Sequence, residues 1–348
     1  MRKNVAVIFG GCSPEYGVSL QSAYEVIRHM DTKKYNPILI GITRKGDWFC
    51  FSGGVQKIVD DSWHNDGDCV PMALSPSRSE SALLLCGGEG VKPVHIDAAF
   101  PVLHGRNGED GTVQGLFELA GIPVVGCGVL ASALCMDKDR AHRLVHAAGV
   151  RVPRSCVLGK DDGLAQALSL AAEIGYPLFV KPVKTGSSFG ISKVGGGGEL
   201  SAAVRFAFEY DDRVLVEENI EGLEIGCAVL GRENLTVGEI YELELSDGFF
   251  NFEEKYSPKT SMVHVPARID AERTDRVKEA AKLIYRVLDC RGFARVDLFL
   301  TAAGEIVFNE ANTIPGFTPH SLFPRMMKAA GISFEEVLTT AIELALER

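Results

Sequence analysis

Two acids, an amide and a guanidinium sit close together near the C-terminus. The run Phe293–Phe299 carries Arg295 and Asp297 between apolar residues, and the run Ile306–Asn312 carries Glu310 and Asn312. Between them lies Thr301–Glu305, with Ala303-Gly304 at its middle, and the whole reads as a β-hairpin. A turn centred on Ala303-Gly304 puts Asp297 across from Glu310 and Arg295 across from Asn312. Side chains alternate faces along a strand, so all four then project from one side. Two carboxylates held directly opposite repel unless a cation lies between them. Oxygen ligands with an amide suit Mg²⁺, which is commonly held by a few carboxylates plus substrate phosphates. The competing reading is a solvated sheet face whose charges serve solubility.

A second group could bind phosphate. Lys181 ends a strand-like run and precedes a flexible loop, Gly186-Ser187-Ser188-Phe189-Gly190, whose glycines let backbone N–H groups approach phosphate oxygens. It is not a Walker A loop, and a plain hairpin turn explains it equally well. Lys138, at a helix start, is either a second phosphate ligand or a surface lysine. Glu217, Glu218 and Glu224 could accept hydrogen bonds from an adenine amino group and ribose hydroxyls, or be solvated surface acids. What weighs for function is that all these features occur in one chain.

The elements that must position these residues follow from pattern. Val5–Phe9, Asn36–Thr43, Ala98–Leu103 and Ile122–Val125 read as strands, with a helical pattern over Val18–Met30, which implies a mostly parallel α/β sheet. Lys45–Lys92 is polar, carries both tryptophans, and reads as added hairpins and loops. A helix near Asp137 leads to a linker at Gly149–Pro153. Strands at Pro177–Pro182, Ile191–Val194 and Arg213–Glu218 follow, with a helix over Leu200–Glu209; further helices span Asp270–Val287 and begin at Ser333.

Composition limits the function classes. A chain of 348 residues, 46% apolar and 24% charged, suggests about two or three domains. No apolar run approaches the roughly 18 residues of a membrane span, and Val5–Phe9 is too short for a secretory signal, so a cytoplasmic protein without a membrane partner is expected. A net charge of −10 argues against a nucleic-acid partner. Nine scattered cysteines, with no Cys-x-x-Cys pair, read as reduced residues.

The motifs also occur in the order of a known family. They are Gly10-Gly11 with Glu15 and Val18-Ser19, His104-Gly105 with Gly108-Glu109-Asp110-Gly111 and Gln114-Gly115, Met136-Asp137-Lys138, Gly186-Ser187-Ser188, Glu254-Lys255-Tyr256, and Asn309–Thr313 with Pro315-Gly316. Together they resemble D-alanine–D-alanine ligases of the ATP-grasp superfamily, including the vancomycin-resistance branch that makes D-alanyl-D-serine. The resemblance covers essentially the whole chain. It implies an α/β protein, α+β in its C-terminal part, with three domains. Residues 1–126 would form a Rossmann-like N-terminal domain holding the first D-alanine, 127–216 a central ATP-grasp subdomain, and 217–348 a C-terminal domain with the metal site and lid.

The resemblance also implies roles. Lys138, Lys181 and Ser188 would bind ATP phosphates, Glu217 and Glu224 the adenosine, and Asp297, Glu310 and Asn312 two Mg²⁺ ions, for which Mn²⁺ could substitute. Glu15 would hold the first D-alanine ammonium in a triad with Ser187 and Tyr256, beside His104. Arg295 and the Gly316 N–H would stabilise the oxyanion, Ser321 and Leu322 would contact the acceptor, and Lys255 joins the catalytic set. A homodimer is the family's habit. ATP would convert the first D-alanine to an acyl phosphate, whose displacement by a second amine needs water excluded; Ser246–Met262, with Phe249, Phe250 and Phe252, makes a closing lid.

Glu254-Lys255-Tyr256 resembles ligases with an amine acceptor rather than D-lactate. Leu322, where many D-serine and D-lactate ligases resemble one another in having arginine, offers nothing to a serine hydroxyl, so D-alanine is the expected acceptor and D-serine the alternative. Phe189 departs from the family's usual valine. A dinucleotide oxidoreductase lacks its Gly-x-Gly-x-x-Gly here, and a silent nucleotide sensor does not account for the filled catalytic positions.

Overall fold

The computed structural model describes residues 1–65, 67–88, 90–186, 189–245 and 261–347. Its first sheet is built around β1 (Lys3–Gly10), whose apolar centre is buried on both faces, as a central parallel strand must be. Parallel neighbours are β2 (Tyr35–Ile42) and β7 (Ala98–Pro101). Four antiparallel strands extend the sheet beyond β2: β3 (Trp48–Phe51), β4 (Cys69–Leu74), β5 (Ala82–Gly87) and β6 (Gly90–His95). These are the hairpins expected over Lys45–Lys92, and Trp63 between them is fully buried edge-on against Phe9.

Two details differ from the sequence reading. Among the described strands, parallel ladders are confined to β2–β1–β7. Ile122–Val125 supplies a single bridge, Val124 to Ala99, rather than a strand. Pro123 has no N–H to donate, and Gly121 and Gly126, both at positive φ, turn the chain away on either side.

The second sheet is antiparallel throughout, in the order β10 (Ser192–Val194), β9 (Leu178–Pro182), β11 (Arg213–Glu218), β8 (Ser155–Gly159). Helices Ala165–Ile174 and Gly197–Ala207 cover one face, packing on Leu178, Val180, Val214 and Val216. Period-2 alternation turns Phe179, Lys181, Leu215 and Glu217 to the other face. β11 keeps Glu217 and Glu218 in this sheet.

The third sheet runs β15 (Ser261–His264), β14 (Tyr241–Leu245), β12 (Leu223–Gly231), β16 (Gly292–Leu300), β17 (Ile306–Asn312), with a short β13 (Leu235–Val237) also on β12. The helix Ala271–Val287 packs against one side through Val277, Ala281 and Ile284. Helices Leu322–Ala329 and Phe334–Leu346 join this sheet to the first in a shared core, where Phe293 and Phe317 meet Phe100 and Phe323 packs on Phe293. The helix starts expected at Asp137, Asp270 and Ser333 are caps: each side chain accepts a backbone N–H three residues on. All nine cysteines are free. Among the described residues no helix is long and apolar enough to cross a membrane.

Candidate active site

The uncovered face of the second sheet and one face of the third enclose a cleft of about 440 Å³, within the range of small-molecule sites. Lys138, Lys181, Glu217 and Glu224 line it, facing Arg295, Asp297, Asn309 and Glu310. Phe179, Ile191, Leu223 and Phe299 supply apolar walls.

The hairpin register is the one expected: Asp297 pairs with Glu310 and Arg295 with Asn312. A bulge follows, so the inner pairs run Leu298 to Phe308 and onward, and Asn309 is the extra residue. The Asn309 carbonyl is engaged by the His142 Nε2 at 2.7 Å, which ties the bulge to the helix Lys138–Ala147. Asp297 is buried and densely partnered. Arg295 grips both its oxygens, with Nη2 to Oδ2 at 2.7 Å and Nε to Oδ1 at 2.8 Å, and the Asn312 amide donates to Oδ2 at 2.8 Å. Burial alone would lower the Arg295 pKa, but the Asp297 charge and these bonds raise it above the usual value, so the guanidinium is a permanent cation.

On the opposite wall, Lys181 and Glu217 are diagonal cross-strand neighbours, both buried, with Nζ 2.6 Å from Oε1. Glu217 Oε2 is also buried, with no partner among the described residues, and is available to an amino or hydroxyl donor. Lys138 is not a surface lysine. It is 6% exposed, donates to the Thr185 carbonyl at 2.8 Å, and lies 3.6 Å from Glu310 Oε2. It therefore bridges the glycine-rich loop and the hairpin.

A third cluster comes from the first sheet. Glu15 sits just ahead of the helix Tyr16–His29, and its carboxylate lies against Gly105 and Gly186. Gly105 has φ +71°, and a Cβ there would stand 2.5 Å from Glu15 Oε2, so only glycine leaves room for this acid. His104 does not stop at this pocket. Its Nδ1 faces the Ile314 carbonyl at 3.0 Å and must therefore carry the proton, leaving Nε2 to accept from the Ser22 hydroxyl at 3.3 Å. Burial lowers its pKa against the pull of Glu15, which keeps the ring neutral.

Sequence reasoning assigned no role to three residues that belong here. Glu109 accepts the Gly105 N–H at 2.8 Å and the Ile314 N–H at 3.1 Å. Burial, then the nearby charge of Glu15, pushes its carboxyl up to about 8. Ser22 accepts the Phe317 N–H at 3.3 Å. Thus Ser22, His104 and Glu109 of the first unit hold residues 314–317, the loop containing Gly316. Tyr241, fully buried, donates its hydroxyl to Asp297 Oδ1 at 3.0 Å. Burial, then the Asp297 charge, raises its phenol well above the usual value. Glu109 lies inside a motif already visible in the sequence, whereas Ser22 and Tyr241 carried no local signal.

Ser321 precedes the helix Leu322–Ala329 without a side-chain capping bond and shares its hydroxyl with Thr318 Oγ1 at 2.8 Å; it stands over Gly316, where a Cβ would be 2.7 Å from its Oγ. Leu322 follows, half-buried at the edge of the cleft. Glu224 lines the same cleft from β12. Ser187, Ser188, Lys255 and Tyr256 lie outside the described residues, as does the expected lid up to residue 260.

Family models for the D-ala D-ala ligase N-terminus and C-terminus match residues 4–127 and 144–343. The chain belongs to the D-alanine–D-alanine ligase family. Vancomycin B-type resistance protein VanB of Enterococcus faecalis is 46% identical, over 99% of this chain and 98% of that protein. A D-alanine–D-alanine ligase of Caldicellulosiruptor bescii is 42% identical, over 99% and 95%. The solved VanG D-Ala:D-Ser ligase of Enterococcus faecalis superposes with a TM-score of 0.93 at 53% identity, covering 99% of this chain and 100% of that one. As a member of this family the protein is an ATP-dependent ligase of ATP-grasp architecture that uses a divalent metal and small-molecule substrates.

The donor set fits those groups. Among the described residues no three His, Cys, Asp or Glu side chains gather, but two carboxylates and an amide stand in register on one face. Such a set leaves positions for phosphate oxygens, as Mg²⁺ sites do. The unpartnered Glu217 oxygen matches a nucleotide's N–H or O–H donors.

Proposed function

We propose that the protein joins two molecules of D-alanine to D-alanyl-D-alanine through a D-alanyl phosphate, for peptidoglycan precursor synthesis. The observation that carries this reading is the cleft in which Lys138 and Lys181 face Asp297 and Glu310, with Asn312 paired to Arg295 on the same hairpin face. The reading assigns the lysines and Ser188 to ATP phosphates, Glu217 and Glu224 to the adenosine, and the hairpin trio to two Mg²⁺ ions, replaceable by Mn²⁺. Mg²⁺ bound there would offset charge on the transferring phosphoryl group. Glu15, linked to Ser187 and Tyr256, binds the first ammonium, with His104 neighbouring that substrate. The carboxylate of this first D-alanine attacks the γ-phosphate of ATP and releases ADP, and Lys255 belongs to the catalytic set. The acceptor carboxylate meets Ser321 and its methyl meets Leu322. Its amine attacks the acyl carbon, and Arg295 with the Gly316 N–H stabilises the oxyanion as phosphate leaves.

The same reading divides the chain into 1–126, 127–216 and 217–348; the three separate sheets support three units, with β11 carrying the second sheet on to Glu218. It takes the protein as a cytoplasmic homodimer, for which Leu119 (71% exposed) and Leu130 (57%) on neighbouring helices are apolar contact candidates. The 53% identity to a D-Ala:D-Ser ligase favours a second reading, with D-serine as acceptor. Phosphate release from ATP with D-alanine, followed by mass analysis of products from mixed D-alanine and D-serine, tests both. No phosphate above background with either mixture refutes the ligase reading. A predominance of D-alanyl-D-serine refutes the choice of D-alanine.

A further inference from the structure

Four strands of the third sheet align one residue each at the level of the hairpin acids. Tyr241 of β14 pairs with Gly226 of β12, Gly226 pairs with Asp297 of β16, and Asp297 pairs with Glu310 of β17. Paired residues share a face, so Tyr241 and the two acids lie on the same side with a glycine between them. Adjacent strands are about 4.8 Å apart, so Tyr241 and Asp297 start about 10 Å apart, too far for contact across an ordinary side chain. Gly226 leaves the path open. The tyrosine ring lies across it, where a Cβ would be 2.5 Å from Tyr241 Cε1 and 2.9 Å from Asp297 Oδ1. The hydroxyl then reaches Oδ1 at 3.0 Å.

The two oxygens of Asp297 have different partners. Oδ1 takes the Tyr241 hydroxyl and the Arg295 Nε, while Oδ2 faces Arg295 Nη2 and the Asn312 amide, with the Arg295 Nε also 3.1 Å away. Asn312 is the residue that shares the metal face with Glu310. Arg295 and Asn312 hold the carboxylate from one side, and the Tyr241 hydroxyl is the partner that reaches Oδ1 from across β12. We propose that Tyr241 is a positioning residue for the metal site: reaching over Gly226, it pins Oδ1 inward so that Oδ2 is presented to the cation. This rests on the assignment of Asp297 as a metal ligand. Partners that orient metal-binding carboxylates in this way affect metal affinity about 10- to 100-fold.

The test is Mn²⁺ titration by electron paramagnetic resonance in the presence of a non-hydrolysable ATP analogue. It is run on the wild type, Tyr241→Phe, Gly226→Ala and Asp297→Asn, with analogue affinity also measured without metal and folding checked by circular dichroism. Tyr241→Phe keeps the packing and loses only the hydroxyl, and it is the deciding variant; Gly226→Ala keeps the hydroxyl but crowds the ring, the Val296 carbonyl and the Asp297 carboxylate together. The expected result is Mn²⁺ affinity weaker by about tenfold or more in both variants, with metal-free analogue affinity unchanged. Affinity within twofold of wild type in Tyr241→Phe overturns the proposal, as does an equal loss of analogue affinity without metal. Asp297→Asn separates the two layers. If it abolishes tight Mn²⁺ binding while Tyr241→Phe does not weaken it, only the positioning role fails. If it has no effect, the metal assignment fails and the proposal with it.

Discussion

Glu109→Gln tests whether Glu109 sets the geometry of the loop at residues 314–317, to which the proposed function assigns oxyanion stabilisation. The Glu109 carboxyl holds two backbone N–H groups, those of Gly105 beside His104 and of Ile314, at 2.8 and 3.1 Å. A carboxyl group can accept at both oxygens whether or not it carries a proton. An amide accepts at one and turns an NH₂ toward the other N–H, so a donor then faces a donor. A buried N–H left without a partner costs about 1–3 kcal/mol. If the loop near Gly316 shifts to relieve this, kcat/KM for the first D-alanine should fall about 5- to 150-fold. Steady-state phosphate release measures it, with thermal melting to confirm folding.

The pH dependence gives a second readout. Glu109 is pushed up to about 8 from an ordinary 4.5, chiefly by burial and then by the charge of Glu15. A folded-state pKa above the unfolded one means the contribution to stability is fully present below about pH 4.5 and is lost as pH rises through about 8. Glutamine cannot ionise, so stability of the variant should fall less between these limits than that of the wild type. Activity within twofold of wild type together with an unchanged stability–pH slope would refute both the loop argument and the buried-carboxyl argument.

Three further outcomes are expected. Glu310→Gln should raise the Mg²⁺ concentration needed for half-maximal turnover about tenfold or more while circular dichroism is unchanged; near-normal Mg²⁺ dependence counts against the metal role. Lys181→Met leaves Glu217 buried without its 2.6 Å partner and should lower stability by about 3–5 kcal/mol, read from the urea midpoint; a change under about 1 kcal/mol would show that the pair is well solvated. Leu322→Arg puts a donor at the edge of the cleft and should raise the D-alanyl-D-serine share in a mixed-acceptor assay; an unchanged product ratio removes Leu322 as the discriminating residue.

Much of the site was legible without coordinates because its signals are local. The Thr301–Glu305 turn and alternating side chains were enough to bring Arg295, Asp297, Glu310 and Asn312 to one face, since a hairpin's register follows from its turn. The three helix starts expected at Asp137, Asp270 and Ser333 fall on residues whose side chains cap the first turn, which is also a local feature. The bulge at Asn309 was not legible, because it depends on His142, 167 positions away, engaging its carbonyl. Nor was the parallel core's restriction to three strands, since which strands become neighbours depends on what the whole sheet packs against.

The sequence by itself determined the family, through spaced motifs, and the chemistry available, through residue types held in order by short turns. Only the tertiary structure decided what those residues touch. Lys138 and Lys181 look like ordinary lysines until burial places one beside Glu310 and the other on Glu217. His104 meets Ile314 across 210 residues, and Tyr241 reaches Asp297 only because β14 lies beside β12 with a glycine at the crossing point. Contacts of that range depend on sheet order and core packing, which no local pattern encodes.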